Sequence, residues 1–150
     1  MPVLIWKRCT MSFNADSAYF NPVFDDIAQA FVGEFYRRLC DQPADSLKSL
    51  FNVELSVLSI DGKVGRGKEG IDLLEARSAV VSGGGGSFGF SGPVTALPTR
   101  DGGVLVVARG RFSHGYDGSV FTDVFILSPK GTGFFIANYI SVKTLMDPSA

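Results

Sequence analysis

With 150 residues, 45% hydrophobic and 19% charged, the chain has the length and apolar content of one globular domain rather than of a disordered segment. Its 14 basic and 15 acidic residues leave a formal net charge of -1, which gives no global field to attract nucleic acid, and no local basic block supplies one. Cys9 and Cys40 are the only cysteines; they make no disulfide framework and no Cys/His spacing for zinc.

At the start, the apolar run covers only Val3–Trp6, and Lys7-Arg8 follow it instead of preceding it, the reverse of a secretory signal. No window approaches the roughly 20 apolar residues of a membrane span. These features predict a soluble intracellular protein: a loose arm at residues 1–18, where Trp6 and Phe13 are the docking candidates, one domain at 19–146, and a tail at 147–150.

Asn21-Pro22 opens the first clear element, with Asn as N-cap and Pro at the first helical position. Asp25 and Asp26 suit the positive end of the dipole. Phe24, Ile27, Ala28, Phe31, Phe35 and Leu39 recur at threes and fours, which predicts a long amphipathic helix over Asn21–Asp41. Pro43 ends it, and Leu47, Leu50 and Phe51 mark a short second helix within Asp45–Phe51. Val53–Ile60 alternates as a strand, Asp61-Gly62 is a hairpin turn, and Lys63–Gly65 returns. A third helix is expected over Lys68–Ala79. The SGGGGS run (Ser82–Ser87) resembles a flexible linker, but neither side alone closes a core, so a loop is expected there.

Beyond it, Ser87–Leu97 reads as a strand despite Pro93, and Arg100–Gly103 turns the chain. Three runs rich in Val, Ile, Phe and Tyr follow, Val104–Ser113, Ser119–Ser128 and Gly133–Leu145. Their short connections permit antiparallel neighbours and leave no room for helical crossovers. The predicted architecture is α+β: a curved, mainly antiparallel sheet wrapped round one long helix, with two shorter helices.

Few residues point to chemistry. His114, the single histidine, sits in a Gly-flanked turn and is expected to be solvated. Cys40 falls at a helix C-terminus, where the dipole disfavours a thiolate. Gly65–Gly70 (GRGKEG) carries Glu69 where a phosphate loop needs Ser or Thr. The SGGGGS run precedes a strand, not the helix that a dinucleotide site requires. GSFGF (Gly86–Phe90) contains one Phe-Gly pair and reads as a strand segment. Asp123 shares strand parity with Phe121, Phe125 and Leu127, so it is either an acid with its pKa raised among aromatics or a partner contact on an exposed face. With no second acid, Tyr or His beside it, the partner contact is favoured. No cofactor or metal site is expected.

Three segments in order resemble the nuclear transport factor 2-like family. FVGEFYRRL (Phe31–Leu39) is similar to its first-helix F-V-x-x-Y-Y-x-x-L. DGKVGRGKEGI (Asp61–Ile71) matches its E-G-x-x-x-x-G-K-x-x-I hairpin into the third helix, and FTDVFILSP (Phe121–Pro129) its F-x-Q-x-F-x-L strand. The resemblance spans about Val23 to Leu145 and implies a cone whose outer sheet face commonly makes dimers.

Departures from the family pattern guide the functional expectation. Ile60-Asp61 stands where a Ran-GDP carrier has Trp-Glu, Asp117 alone remains of an acidic loop, and Asn138–Val142 (NYISV) replaces N-D-x-F-R. The resemblance then implies a non-enzymatic subunit in the nucleus and at the nuclear pore, shuttling with the cytoplasm. It would pair with a related domain of a larger mRNA export receptor, or with itself, and support binding of nucleoporin Phe-Gly repeats. Phe121, Asp123, Phe125, Tyr139, Ser141 and Lys143 are the expected partner-binding residues, with Asp123 meeting a partner arginine. Asp61 and Asp117 would be the contacts of an alternative Ran-GDP carrier homodimer. An isomerase- or dehydratase-type cavity enzyme would need two polar groups converging inside the cone, and the helix stripe is expected to supply none.

Overall fold

The computed structural model describes residues 20–41, 45–82, 86–116 and 118–144; the expected arm and tail, Cys9 and Asp117 lie outside them. The first helix, α1 (Phe24–Asp41), begins where the Asn21 side-chain oxygen accepts the Val23 N–H at 3.0 Å. Its inward face, Ala28, Val32, Phe35, Tyr36, Leu39 and Cys40, is buried against the sheet. Each fully buried Phe or Leu of this kind stabilises the fold by about 1.5–3 kcal/mol.

A four-residue helix, α2 (Asp45–Lys48), precedes a tight turn. The strand expected from Val53 starts only at Val57, because side chains compete for the backbone first. Asn52 Oδ1 accepts the N–H groups of Glu54 and Leu55, both at 2.9 Å, and Ser56 Oγ accepts the Asn52 N–H at 2.9 Å. Strands β1 (Val57–Ile60) and β2 (Lys63–Arg66) then form the expected hairpin. Asp61 and Gly62 both take positive φ, 51° and 86°, as a primed two-residue turn demands.

The GRGKEG run is a close approach between hairpin and helix. A side chain at Gly70 would start 2.6 Å from the Gly65 carbonyl oxygen, and one at Gly65 2.6 Å from the Gly70 nitrogen. Helix α3 (Lys68–Val81) therefore sits directly on β2, and runs two residues past the expected Ala79.

The expected strand Ser87–Leu97 is two strands, β3 (Phe88–Phe90) and β4 (Thr95–Pro98), both antiparallel to β5. Gly92, at φ 91°, makes the break just before Pro93. The last third is the expected meander: β5 (Val104–Phe112), β6 (Val120–Lys130) and β7 (Gly133–Thr144).

The sheet runs β2-β1-β7-β6-β5-β3, with β4 also on β5, and β1 lies parallel to β7. Register slips between β6 and β7, where Ile126 faces Asn138 but Leu127 faces Ile136, leaving Ala137 extra. That bulge bends the sheet, which curls round α1 as the expected α+β cone.

Candidate functional site

Alternation along β6 and β7 gives the sheet two faces of different chemistry. The inner face of these strands carries Phe121, Asp123, Phe125, Tyr139 and Ser141, all at 0–1% exposure. The expected shared face is therefore real, but it is the concave one, covered by this chain's own α1 and α3. Phe35 of α1 packs edge-on against Phe125 at 4.9 Å between ring centroids. These five residues are closed to any partner in this fold, which corrects the exposed interface expected of them. Lys143, near the end of β7, is exposed, with its Nζ 5.2 Å above the Tyr116 ring.

Asp123 does not wait for a partner arginine; its oxygens are bonded within the chain. Oδ2 accepts the Tyr36 hydroxyl at 2.5 Å and the Tyr139 hydroxyl at 3.0 Å, and Oδ1 accepts the Ser141 hydroxyl at 2.5 Å. Ser141 Oγ in turn accepts from Arg77 Nη1. Arg77 Nη2 donates to Asp61 Oδ2 at 3.0 Å, and Asp61 Oδ1 accepts the Lys143 N–H at 3.2 Å. A continuous polar chain thus runs from the buried Tyr36–Asp123 pair to the surface at Asp61. The Arg77 guanidinium lies 4.7 Å from the Phe121 ring centroid, and its buried Nε has no hydrogen-bond partner among the described residues.

Burial dominates the electrostatics here. Desolvation raises the Asp123 carboxyl above its ordinary value, against the bonds from Ser141 and Tyr36 and the charge of Arg77. Burial, then the Asp123 charge, holds both tyrosine hydroxyls well above theirs, so they stay protonated donors.

Sequence reasoning missed two members of this cluster. Tyr36 follows Phe35 on α1, so the helix stripe does bring a hydroxyl into the cone, contrary to expectation. Arg77 stands one residue before Ser78 on the buried side of α3. The signal for both was the unbalanced acid: a carboxylate among rings requires nearby donors and a cation.

Elsewhere, His114 is exposed in its turn and Cys40 is a buried free thiol. A groove of about 410 Å³ is lined by Ser49, Phe51, Asn52, Val53, Glu54 and Lys130. It has one carboxylate and shares no lining residue with the Asp123 cluster. Among the described residues no group of acids, histidines and cysteines could hold a metal ion, and no helix is long and apolar enough to cross a membrane.

The outer face of the sheet is the opposite case. Paired positions form one row across six strands: Val64, Ser59, Ile140, Val124, Val107 and Thr95. The next row is Arg66, Val57, Asn138, Ile126, Leu105 and Leu97, and a third joins Val142, Thr122 and Arg109. Val64, Leu97, Ile140 and Val142 are 47–69% exposed, so an apolar sheet face stands open to solvent.

A cone with a closed inner face and an open outer sheet is the architecture of the nuclear transport factor 2-like class. The chain has the nuclear transport factor 2-like fold and is similar in sequence to a member of that family. It is 28% identical over 130 residues to a probable nuclear transport factor 2 of Caenorhabditis elegans, covering 81% of this chain and 92% of that one. The crystal structure of the yeast Ubp3-associated protein Bre5 matches with a TM-score of 0.65 at 20% identity, covering 81% of this chain and 96% of that one. A putative scytalone dehydratase from Novosphingobium aromaticivorans shares the fold with a TM-score of 0.63 at 14% identity, covering 80% and 83%. No family model matches the chain.

Proposed function

We propose that the chain is a non-enzymatic binding subunit that docks through the convex face of its sheet. In kind it is nearest the small subunit of the heterodimeric mRNA export receptor, serving nuclear export of mRNA at the nuclear pore with nucleoporin Phe-Gly repeats as further ligands. The observation that carries the reading is the contrast of the two faces: Ile140, Val142, Val64 and Leu97 exposed outside, and every carboxylate and hydroxyl of the Asp123 cluster bonded inside. An apolar sheet face in water favours another surface over it.

The test is tagged expression in the chain's own cells with mass spectrometry of stoichiometric partners, beside an Ile140→Asp/Val142→Asp variant. A larger chain carrying a related domain, recovered with the unsubstituted protein and lost with the variant, is the expected result. Equal recovery with both overturns the docking face.

Two other readings each have an observation behind them. Similarity to a probable nuclear transport factor 2 favours a nuclear transport carrier, yet Asp61, an expected contact of a Ran-GDP carrier, has both carboxylate oxygens bonded within the chain. Recovery of Ran without a related domain would favour it. The convergence of Tyr36, Tyr139 and Asp123 favours a cavity enzyme, but these groups are buried and hold one another.

A further inference from the structure

The turn between Phe51 and β1 is fixed by bonds from several directions and holds two large apolar side chains out in water. Asn52 Oδ1 accepts the Glu54 and Leu55 N–H groups, and the Ser56 N–H donates to the Asn52 carbonyl oxygen at 3.0 Å. The Ser56 hydroxyl donates to the Ile136 carbonyl oxygen at 2.6 Å, and Arg66 Nε to that of Glu54 at 3.3 Å. These bonds are made by main chain and by the Asn52, Ser56 and Arg66 side chains, so none of them needs the side chain of Val53 or Leu55. Those two stand 54% and 57% exposed.

The groove of about 410 Å³ opens beside this turn, within the range of about 300–1,000 Å³ found for ligand sites. Phe51 gives it a buried aromatic lining and Val53 an exposed aliphatic one. Glu54 and Lys130, both exposed, line it with opposite charges. No ion pair joins them, and neither charged group has another partner among the described residues. Elsewhere the chain pairs such groups: Glu34 with Arg37 and Arg38, Asp72 with Lys68, Asp61 with Arg77. The Asn52 side-chain N–H groups, at the same groove, also lack an acceptor among the described residues.

We infer that this groove is a second binding site, and that its occupant is an extended peptide segment carrying an apolar side chain between an acidic and a basic residue. The apolar side chain packs on Phe51 and Val53. The peptide's carboxylate meets Lys130 and the Asn52 amide, and its cation meets Glu54, each a charge-assisted contact that the fold leaves unmade. Because the turn is already bonded in place, little of it has to be ordered on binding. Leu55, on the same turn but outside the groove, offers apolar surface to a chain that runs on past it, which a single amino acid would not use. The site is separate from the convex face, since its lining shares no residue with the cross-strand rows.

Four peptides with blocked ends test the site: Glu-Ser-Leu-Ser-Lys, the same with two glutamates or with two lysines, and the same with alanine for leucine. In an extended chain the first, third and fifth side chains share one face. Each peptide is titrated into the full chain and followed by backbone amide shifts. The expected result is saturable shifts at Asn52, Val53, Glu54 and Lys130, with the mixed-charge leucine peptide binding about fivefold more tightly than each of the others, as partly exposed charge pairs allow. Lys130→Glu should move the preference to the two-lysine peptide, and Glu54→Lys to the two-glutamate one, with circular dichroism unchanged because both positions are exposed. No saturable shift with any peptide overturns the inference, and so does equal affinity for all four. A preference that stays the same in both variants overturns the charge assignment. Shifts at Ile140 and Val142 in place of the groove would assign the peptide to the convex face and overturn the second site, whereas failure at the groove leaves the docking face as it stands.

Discussion

The two faces of β6 and β7 are built from the same alternation and solve opposite problems. Inside, Asp123 is buried with two tyrosines and a serine bonded to it and an arginine behind them. Outside, one residue away on either side, Thr122 and Val124 lie on the half-exposed convex face with no covering element among the described residues. The inner face specifies how this chain folds, since a buried carboxylate is tolerated only when every lone pair and the charge are answered. The outer face leaves its requirement to another molecule.

The largest expected break in this contrast is on the inner side. Asp123→Ala strips the acceptor from three hydroxyls and one of the two carboxylates near Arg77, and should cost about 3–5 kcal/mol in urea unfolding. A loss below about 1 kcal/mol would mean that the cluster is not a unit. Second in size is Gly70→Ala. Its new methyl group meets the Gly65 carbonyl oxygen and the Leu58 side chain, so α3 must lift from β2, at about 1–3 kcal/mol.

A pH series sharpens the electrostatic side of the comparison. Burial raises the folded-state pKa of Asp123 above its ordinary 3.8, so the folded chain holds this proton more tightly than the unfolded one. The associated stability is fully present below the ordinary value and is lost as pH rises through the raised one. Urea midpoints should therefore show a contribution that falls as pH rises above the ordinary carboxylate value, and Asp123→Asn should remove it. An identical slope in that variant would assign the titration to another group. The smallest effect belongs outside: Ile140→Asp should change single-chain stability by no more than about 0.5–1 kcal/mol while removing association. A large loss of stability would mean that the outer face also serves the fold.

Much of this architecture was legible in the sequence because it rests on local signals. The stripe on α1, the Asp61-Gly62 turn and each strand of the meander declare themselves within about a dozen residues; the close approach of Gly65 to Gly70 did not. Parity placed Phe121, Asp123 and Phe125 together, and Tyr139 and Ser141 with them across the register. Which face they occupied was not legible, because β6 is apolar on both sides: Phe121, Phe125 and Leu127 on one, Val124 and Ile126 on the other. Alternation says who shares a face; only the position of α1 says which face is covered. Arg77 and Tyr36 escaped for a related reason. Their partners in the buried cluster, Ser141 and Asp123, lie 64 and 87 residues away, and nothing near Tyr36 in sequence shows that a carboxylate is waiting.

The parallel seam between β1 and β7 has a kinetic consequence. The meander pairs strands that are neighbours along the chain, whereas the seam joins segments as far apart as Ser56 and Ile136, 80 residues in sequence. Closing so long a loop carries an entropic cost that must be met before the contacts reward it. The three-strand meander can therefore assemble early, and the hairpin with α3 docks on it late. The same order in reverse makes the hairpin and α3 the first unit to open in the native state. Amide exchange should read as faster protection loss across residues 57–81 than across 104–144.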